Sequence, residues 1–292
     1  MNKKILISTG GSGGHVIPAT IIYKHLEHSF DVSMTSDFRG VKFLNKDEYN
    51  LKIFNVRPIS KNLLVMPFDF LLMIISIFKS ISFLRKNKID TLISTGGYMS
   101  LPLCVGAKIL NIKLLLFEPN MVLGRSNKFF ISYCQKIFCY SNNIKKFPIK
   151  FKNKIKVIPA LLRKNFYDKR DSNNTLDTIN LLIIGGSQGA KIFDDLVKNA
   201  IIELSKKYKL KIYQQTSSIN FESFKKTYEN NNINCELFNF NDDVINFMHK
   251  TDLCITRAGA STLAELNFTE IPYLAIPLPT AKDNHQFENA YF

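Results

Sequence analysis

The chain has no cysteine pair at CxxC spacing, and its five cysteines, Cys104, Cys134, Cys139, Cys235 and Cys254, are odd in number and scattered. A disulfide framework and a cysteine zinc site are thereby set aside, and a reduced, cytoplasmic protein is the simplest account. No uninterrupted apolar run of about 20 residues occurs, the length a membrane-spanning helix needs. The most apolar stretch, Phe70–Ile75, is bracketed by Asp69 and Lys79. The apolar run Ile5-Leu6-Ile7 is too short for a signal peptide before Thr9-Gly10-Gly11 breaks it. Acidic residues are scarce: 24 Asp and Glu against 39 Lys and Arg leave a formal charge of +15. Such an excess favours a phosphate-bearing partner, either a nucleotide or an anionic membrane surface. The lysines are dispersed among Asn and Ile rather than clustered, which weighs against nucleic acid.

What is present is a repeated unit of strand, small-residue turn and helix. Its strongest instance is Arg257-Ala258-Gly259-Ala260-Ser261-Thr262-Leu263-Ala264-Glu265 after the apolar Leu253-Cys254-Ile255, followed by Pro272–Pro277 and Asp283-Asn284-His285-Gln286. The start of such a helix offers backbone N–H groups to an anion such as a diphosphate. Glu265, one turn in, is placed to accept the two hydroxyls of a ribose. The same residues are equally readable as a capping box, with Ser261 and Thr262 capping and Glu265 completing it.

From the N-terminus, Ile5–Ser8 reads as a buried strand, and Thr9-Gly10-Gly11-Ser12-Gly13-Gly14-His15 as a glycine turn into a helix over Val16–His28. Val16 stands where the last glycine of a dinucleotide fingerprint belongs, and no Gly-Lys-Ser/Thr ends the turn, so it is neither that fingerprint nor a Walker A loop. His15, at the mouth of the turn, either removes a proton from a substrate or merely hydrogen-bonds the loop. Strands are expected at Asp31–Met34, Lys52–Val56, Thr91–Ser94, Lys113–Phe117, Lys136–Cys139 and Ile155–Ile158. A helix opened by Pro67 runs to about Lys86. That helix is either packed in a core or lies on a membrane surface, with Arg85, Lys86 and Lys88 facing anionic headgroups. A second glycine turn, Gly96-Gly97-Tyr98-Met99-Ser100, follows Ser94. A polar linker at Asp168–Asp177 then precedes a restart at Ile179–Ile184 with Gly185-Gly186-Ser187-Gln188-Gly189-Ala190, and strands at Lys209–Gln214, Cys235–Phe238, Leu253–Ile255 and Tyr273–Ile276. Alternating strand and helix argues two doubly wound parallel sheets, an α/β chain whose glycine turns lie at the carboxyl ends of strands and can face one cleft.

In order and spacing, the stretches Gly10–His15, Gly96–Ser100, Glu118-Pro119-Asn120, Gly185–Ala190, Arg257–Glu265 and Asp283–Gln286 with Asn289-Ala290 resemble the MurG family over nearly the whole chain. These are the N-acetylglucosaminyltransferases that make lipid II in peptidoglycan synthesis. The resemblance implies a GT-B fold with two Rossmann-like domains, residues 1–165 on the acceptor and membrane side and 166–292 binding the UDP-sugar. It implies that Ser12, Gly13 and Gly14 line the sugar and diphosphate, Asn120 meets the donor sugar, and Arg163 and Ser187 approach the diphosphate. Asn241 falls where uracil is held, Ala260, Ser261, Thr262, Leu263, Ala264 and Glu265 hold diphosphate and ribose, and Gln286 contacts the transferred sugar. The chain departs from the family at Phe117 and Pro119, in place of His and Gln, and at Ala160 and Leu161, in place of Asn-Pro. It also ends at Phe292, where family members continue to a terminal helix that returns to the first domain. That leads to an expectation of low stability and loose domain motion.

The expected activity is metal-independent, inverting transfer of N-acetylglucosamine from UDP-N-acetylglucosamine to an undecaprenyl-linked muramyl peptide, with His15 as catalytic base and no cofactor. No Asp-x-Asp metal clamp occurs in the sequence. The expected location is the cytoplasmic side of the inner membrane, peripherally. The alternatives are another GT-B nucleotide-sugar enzyme, such as an epimerase, and a non-catalytic UDP-sugar or membrane binder.

Overall fold

The computed structural model describes residues 3–60, 62–167, 177–186, 190–239 and 244–292. The linker read at 168–177 lies almost wholly outside them, as do Ser187 and Asn241. The chain forms two compact units, Met1–Leu161 and Leu162–Phe292, where the sequence suggests a division after residue 165.

Among the described residues, the first unit is a seven-stranded parallel sheet in the order β3-β2-β1-β4-β5-β6-β7. Its strands are β1 (Lys4–Ser8), β2 (Asp31–Ser36), β3 (Leu51–Ile53), β4 (Thr91–Ser94), β5 (Lys113–Glu118), β6 (Lys136–Cys139) and β7 (Ile155–Val157). Side chains alternate across this sheet with a period of two. Leu6, Leu92, Leu114 and Leu116 enter one core with Leu84, Leu103 and Phe130. Ile5, Ile7, Ile93 and Phe117 enter another with Ala19, Ile22 and Tyr23. Both faces are therefore covered, which is why these strands read as continuous apolar runs. The covering helices are α1 (Gly13–Leu26), α2 (Met66–Lys86), α3 (Ser100–Ile109) and α4 (Arg125–Phe130).

Helix α2 is built the wrong way round for a core helix. Its buried residues, Asp69, Met73, Ser80 and Leu84, recur at three- and four-residue steps and form one stripe. Two of the four are polar. The opposite surface carries exposed Phe68, Phe70, Leu71, Ile74, Ile75 and Phe78, continuous in sequence with exposed Leu63, Leu64 and Met66. Asp69 is buried because it works on the preceding loop. It accepts from the Ser60 amide at 2.8 Å and faces the Arg57 guanidinium at 3.0 Å. By length and composition α2 passes for a membrane span, with 22% of its most apolar window buried.

The second unit is a five-stranded parallel sheet, again among the described residues, in the order β10-β9-β8-β11-β12. The strands are β8 (Ile179–Ile184), β9 (Leu210–Gln215), β10 (Asn234–Phe238), β11 (Leu253–Thr256) and β12 (Tyr273–Ala275). Helices α5 (Ala190–Ser205), α6 (Phe221–Asn230), α7 (Val244–Met248), α8 (Ala260–Phe268) and α9 (His285–Tyr291) accompany them. Leu181, Ile183 and Ile212 pack with Phe193, Val197, Ile201, Phe224 and Tyr228. These are the two Rossmann-like, doubly wound units expected from the sequence. In each, the strand order reverses at one place, between β1 and β4 and between β8 and β11. A crevice at the carboxyl ends of such a pair is where doubly wound sheets bind ligands.

Candidate functional site

In the first unit the glycine turns after β1 and β4 flank the reversal point and pack on each other. Helix α1 begins at Gly13 with Ser12 as its N-cap, and no side chain caps it. The helical ladder starts with Val16 N donating to Ser12 O at 3.2 Å, so the amides of Gly13 and Gly14 stand ahead of it. The sequence places this start at Val16; glycine's poor helix propensity hides the first turn, where its freedom is harmless. Gly14 is exposed, Gly13 buried, and Ser12 and His15 half-buried.

His15 Nδ1 lies 2.8 Å from Thr95 O. A carbonyl can only accept, so Nδ1 carries the hydrogen and the basic lone pair of the neutral ring is on Nε2. Gly96 and Gly97, at φ +92° and +84°, lay the second turn over this ring. A Cβ on Gly97 would stand 2.9 Å from Gly10 O. Beneath the first turn, Asp37, buried after β2, accepts from the amides of Gly11 and Gly40, each at 2.8 Å. Its other oxygen accepts from Arg39 Nε at 2.9 Å. Burial pushes this carboxyl up, but the two amides and the guanidinium outweigh it and hold it below its usual range. No sequence motif marks Asp37. The only available signal is an acid directly after a buried strand with Gly40 three residues on.

At the end of β5, Glu118 is buried and serves four donors. They are Asn120 N at 3.3 Å, Asn120 Nδ2 at 3.0 Å, Gly124 N at 2.8 Å and Asn127 Nδ2 at 3.0 Å. The residue assigned to the donor sugar, Asn120, is thus held by Glu118 through its amide nitrogen. The same carboxylate contributes to raising the Cys139 thiol, pushed up to about 12 chiefly by burial.

In the second unit, helix α8 starts at Ala260 with Gly259 as N-cap and no side-chain cap. A capping box is therefore not formed: Ser261 and Thr262 lie inside the first turn and Glu265 beyond it. Leu263 N donates to Gly259 O at 3.0 Å, which leaves the amides of Ala260, Ser261 and Thr262 ahead of the ladder. Ala260, Ser261, Thr262 and Ala264 are partly exposed, whereas Leu263 is buried and can offer a ligand only its backbone. Arg257, buried beside this turn, donates from Nη1 to Ile276 O at 3.0 Å and Pro277 O at 3.1 Å, and lies over the Phe193 ring. Burial lowers its pKa.

Glu265 is 3% exposed and pairs with Arg163, whose Nε and Nη2 both donate to Oε1, at 3.1 and 2.9 Å. Burial pushes the Glu265 carboxyl up and the guanidinium draws it down, leaving it above its ordinary value. Gln286, in the first turn of α9, accepts through Oε1 from Leu278 N at 2.8 Å, which turns its Nε2 donors the other way. Asn289 donates to Ala258 O at 3.0 Å and ties α9 to the turn before α8. Among the described residues, no three His, Cys, Asp or Glu side chains form a metal-binding group.

Residues 5–139 match the glycosyltransferase family 28 N-terminal domain and residues 180–292 the family 28 C-terminal domain. A curated UDP-N-acetylglucosamine--N-acetylmuramyl-(pentapeptide) pyrophosphoryl-undecaprenol N-acetylglucosamine transferase from Pelagibacter ubique (strain HTCC1062) is 90% identical over 292 residues, all of this chain and 82% of that protein. A protein of the same name from Rickettsia bellii (strain RML369-C) is 35% identical over 99% of this chain and 82% of its own. A crystal structure of Acinetobacter baumannii MurG superposes with a TM-score of 0.76 at 24% identity, over 100% of this chain and 83% of that one; at that identity the likeness speaks for the fold.

Proposed function

The chain belongs to the MurG group of glycosyltransferase family 28, and from that membership we infer that it transfers N-acetylglucosamine from UDP-N-acetylglucosamine to the undecaprenyl-diphosphate-linked muramyl peptide, converting lipid I to lipid II. Identity of 90% over every residue of the chain is the observation that carries this reading.

The donor is assigned to the second unit. The open amides of α8 and the Arg163 guanidinium would take the diphosphate, and Glu265 the ribose hydroxyls. The amide nitrogen of Gln286 would donate to the transferred sugar. As the bond to the anomeric carbon breaks, charge develops on the departing UDP, and donors already aimed at it need no reorganisation. No Asp-x-Asp is present to clamp a metal, so turnover is expected to survive EDTA.

The acceptor is assigned to the first unit, whose turn Ser12–Gly14 would line the sugar and diphosphate. Its C4 hydroxyl attacks the anomeric carbon from the face opposite UDP, which inverts the configuration there. The hydroxyl proton passes to His15 Nε2, and the Thr95 carbonyl steadies the resulting imidazolium through Nδ1–H. The other reading of His15, as a loop hydrogen-bonder only, is already satisfied by the Thr95 bond, which therefore fits both roles. What favours the base is that this bond fixes the tautomer with its lone pair on Nε2.

The exposed apolar face of α2 with Leu63, Leu64 and Met66 supports a peripheral seat on the membrane that holds the lipid acceptor, on its cytoplasmic side. Lys79, Arg85, Lys86 and Lys88 lie on or just past this helix and would meet anionic headgroups.

Incubation of the purified protein with UDP-N-acetylglucosamine and lipid I should release UDP and form lipid II. Epimerised or hydrolysed donor without acceptor would instead favour the other nucleotide-sugar chemistries, and donor binding without turnover a non-catalytic role.

A further inference from the structure

Glu265 and Arg163 carry separate ligand assignments, ribose and diphosphate, yet they hold each other. The pairing is asymmetric. Both guanidinium donors go to Oε1, and Oε2 accepts no hydrogen bond among the described residues. Glu265 is nearly sealed from water, whereas the Arg163 side chain keeps 20% of its surface exposed. A carboxylate in such a place pays heavily for its charge unless a cation stands beside it. An ionised carboxylate is also acceptor-only, which is what two donating hydroxyls require; a protonated one would turn a donor towards one of them.

We propose that Arg163 is a positioning residue for ribose recognition: by occupying Oε1 of Glu265 it fixes the carboxylate so that Oε2 is presented to the vicinal hydroxyls of the donor nucleoside. The inference rests on the assignment of Glu265 to the ribose and deepens it. It makes the preference for a ribonucleotide over its 2'-deoxy counterpart a property of the pair, not of Glu265 alone. It also gives Arg163 a role that a ligand without phosphate can detect. The planar fork of arginine suits this task, since two of its donors converge on one oxygen while the rest of the group faces elsewhere; a lysine supplies a point charge and no such plane.

The test is binding of uridine, UDP and 2'-deoxy-UDP to the wild type, Arg163→Gln and Arg163→Lys, followed by ligand-observed NMR for the weak nucleoside and by calorimetry for the diphosphates. The wild type should prefer UDP over 2'-deoxy-UDP by about tenfold or more, the range for hydrogen bonds to a charged acceptor. In Arg163→Gln that preference should fall to within about twofold, and uridine, which has no phosphate, should weaken as well. Arg163→Lys should recover part of the preference and keeps the test open if Arg163→Gln does not fold. A weaker UDP affinity in the variants with the 2'-hydroxyl preference and uridine affinity intact would make Arg163 a diphosphate ligand only, and would overturn the proposal. Equal binding of UDP and 2'-deoxy-UDP by the wild type would be a different failure, since it removes Glu265 from the ribose in the first place.

Discussion

A methyl group added to Gly96 would stand 3.2 Å from both Cε1 and Nδ1 of His15, so the second glycine turn is shaped around the imidazole ring. The ring's seat and its hydrogen bond to Thr95 come from the same three-residue stretch. His15→Ala is expected to lower turnover by about 10²–10⁴-fold with UDP affinity nearly unchanged. Gly96→Ala should act in the same sense by displacing the ring, and it must also adopt a φ near +92°, which a residue with a Cβ resists. Steady-state rates and UDP calorimetry on both variants check this. Lost UDP affinity with normal turnover at saturation would move His15 from catalysis to binding.

Glu265→Ala should abolish the preference for UMP over its 2'-deoxy analogue, because the carboxylate is the group assigned to the ribose hydroxyls. The expected loss is about 1.5–3 kcal/mol, the worth of hydrogen bonds to a charged group. Competition binding of the two nucleotides to wild type and variant reads it directly. Unchanged discrimination would point to another residue.

Asp37 should make stability depend on pH in the acid range. Its folded pKa lies below the ordinary value of 3.8, so the folded state binds that proton less readily than the unfolded chain. The stabilisation is complete above the unfolded value and disappears as the pH falls through the depressed folded value. Asp37→Asn should destabilise the protein by about 1–3 kcal/mol at neutral pH, through weakened bonds to the Gly11 and Gly40 amides. The gap should narrow below the unfolded pKa. Denaturant melts of both proteins at neutral pH and near pH 3 would show it, and a constant difference would place the effect elsewhere.

The apolar face of α2 predicts salt-sensitive sedimentation with liposomes containing anionic lipid. Ile75→Glu should reduce it without changing the melting temperature, since Ile75 is exposed. A folded protein that ignores such liposomes at low salt has some other use for this face.

The parallel sheets were legible because their strands are short apolar runs between glycine turns. Thr91–Ser94 and Lys136–Cys139 span the same residues in the sequence reading as in the structure. The two readings of α2 were harder to separate, since periodicity counts Asp69 as a solvent-facing interruption. In the fold it is one of the helix's four buried residues, paired with Ser60 and Arg57. The turns proposed to bind ligands showed themselves through small residues at helix starts. The acid that holds the first turn and the pairing of Arg163 with Glu265 did not. Asp37 has no motif around it, and Arg163 and Glu265 meet across 102 positions of chain, a pairing no local pattern carries.

Asp37 also stands where a nucleotide-binding acid would. An acid about 20 residues past a glycine turn is what a dinucleotide-binding fold offers to a ribose, and the first unit has one in Asp37. Both of its oxygens are already taken, Oδ1 by Gly11 and Gly40 and Oδ2 by Arg39. In the first unit the acid at that place is engaged in holding its own glycine turn. On the proposed donor assignment, the two units differ in which acid keeps an oxygen unspent: Asp37 has both engaged, whereas Glu265 has Arg163 on Oε1 alone among the described residues.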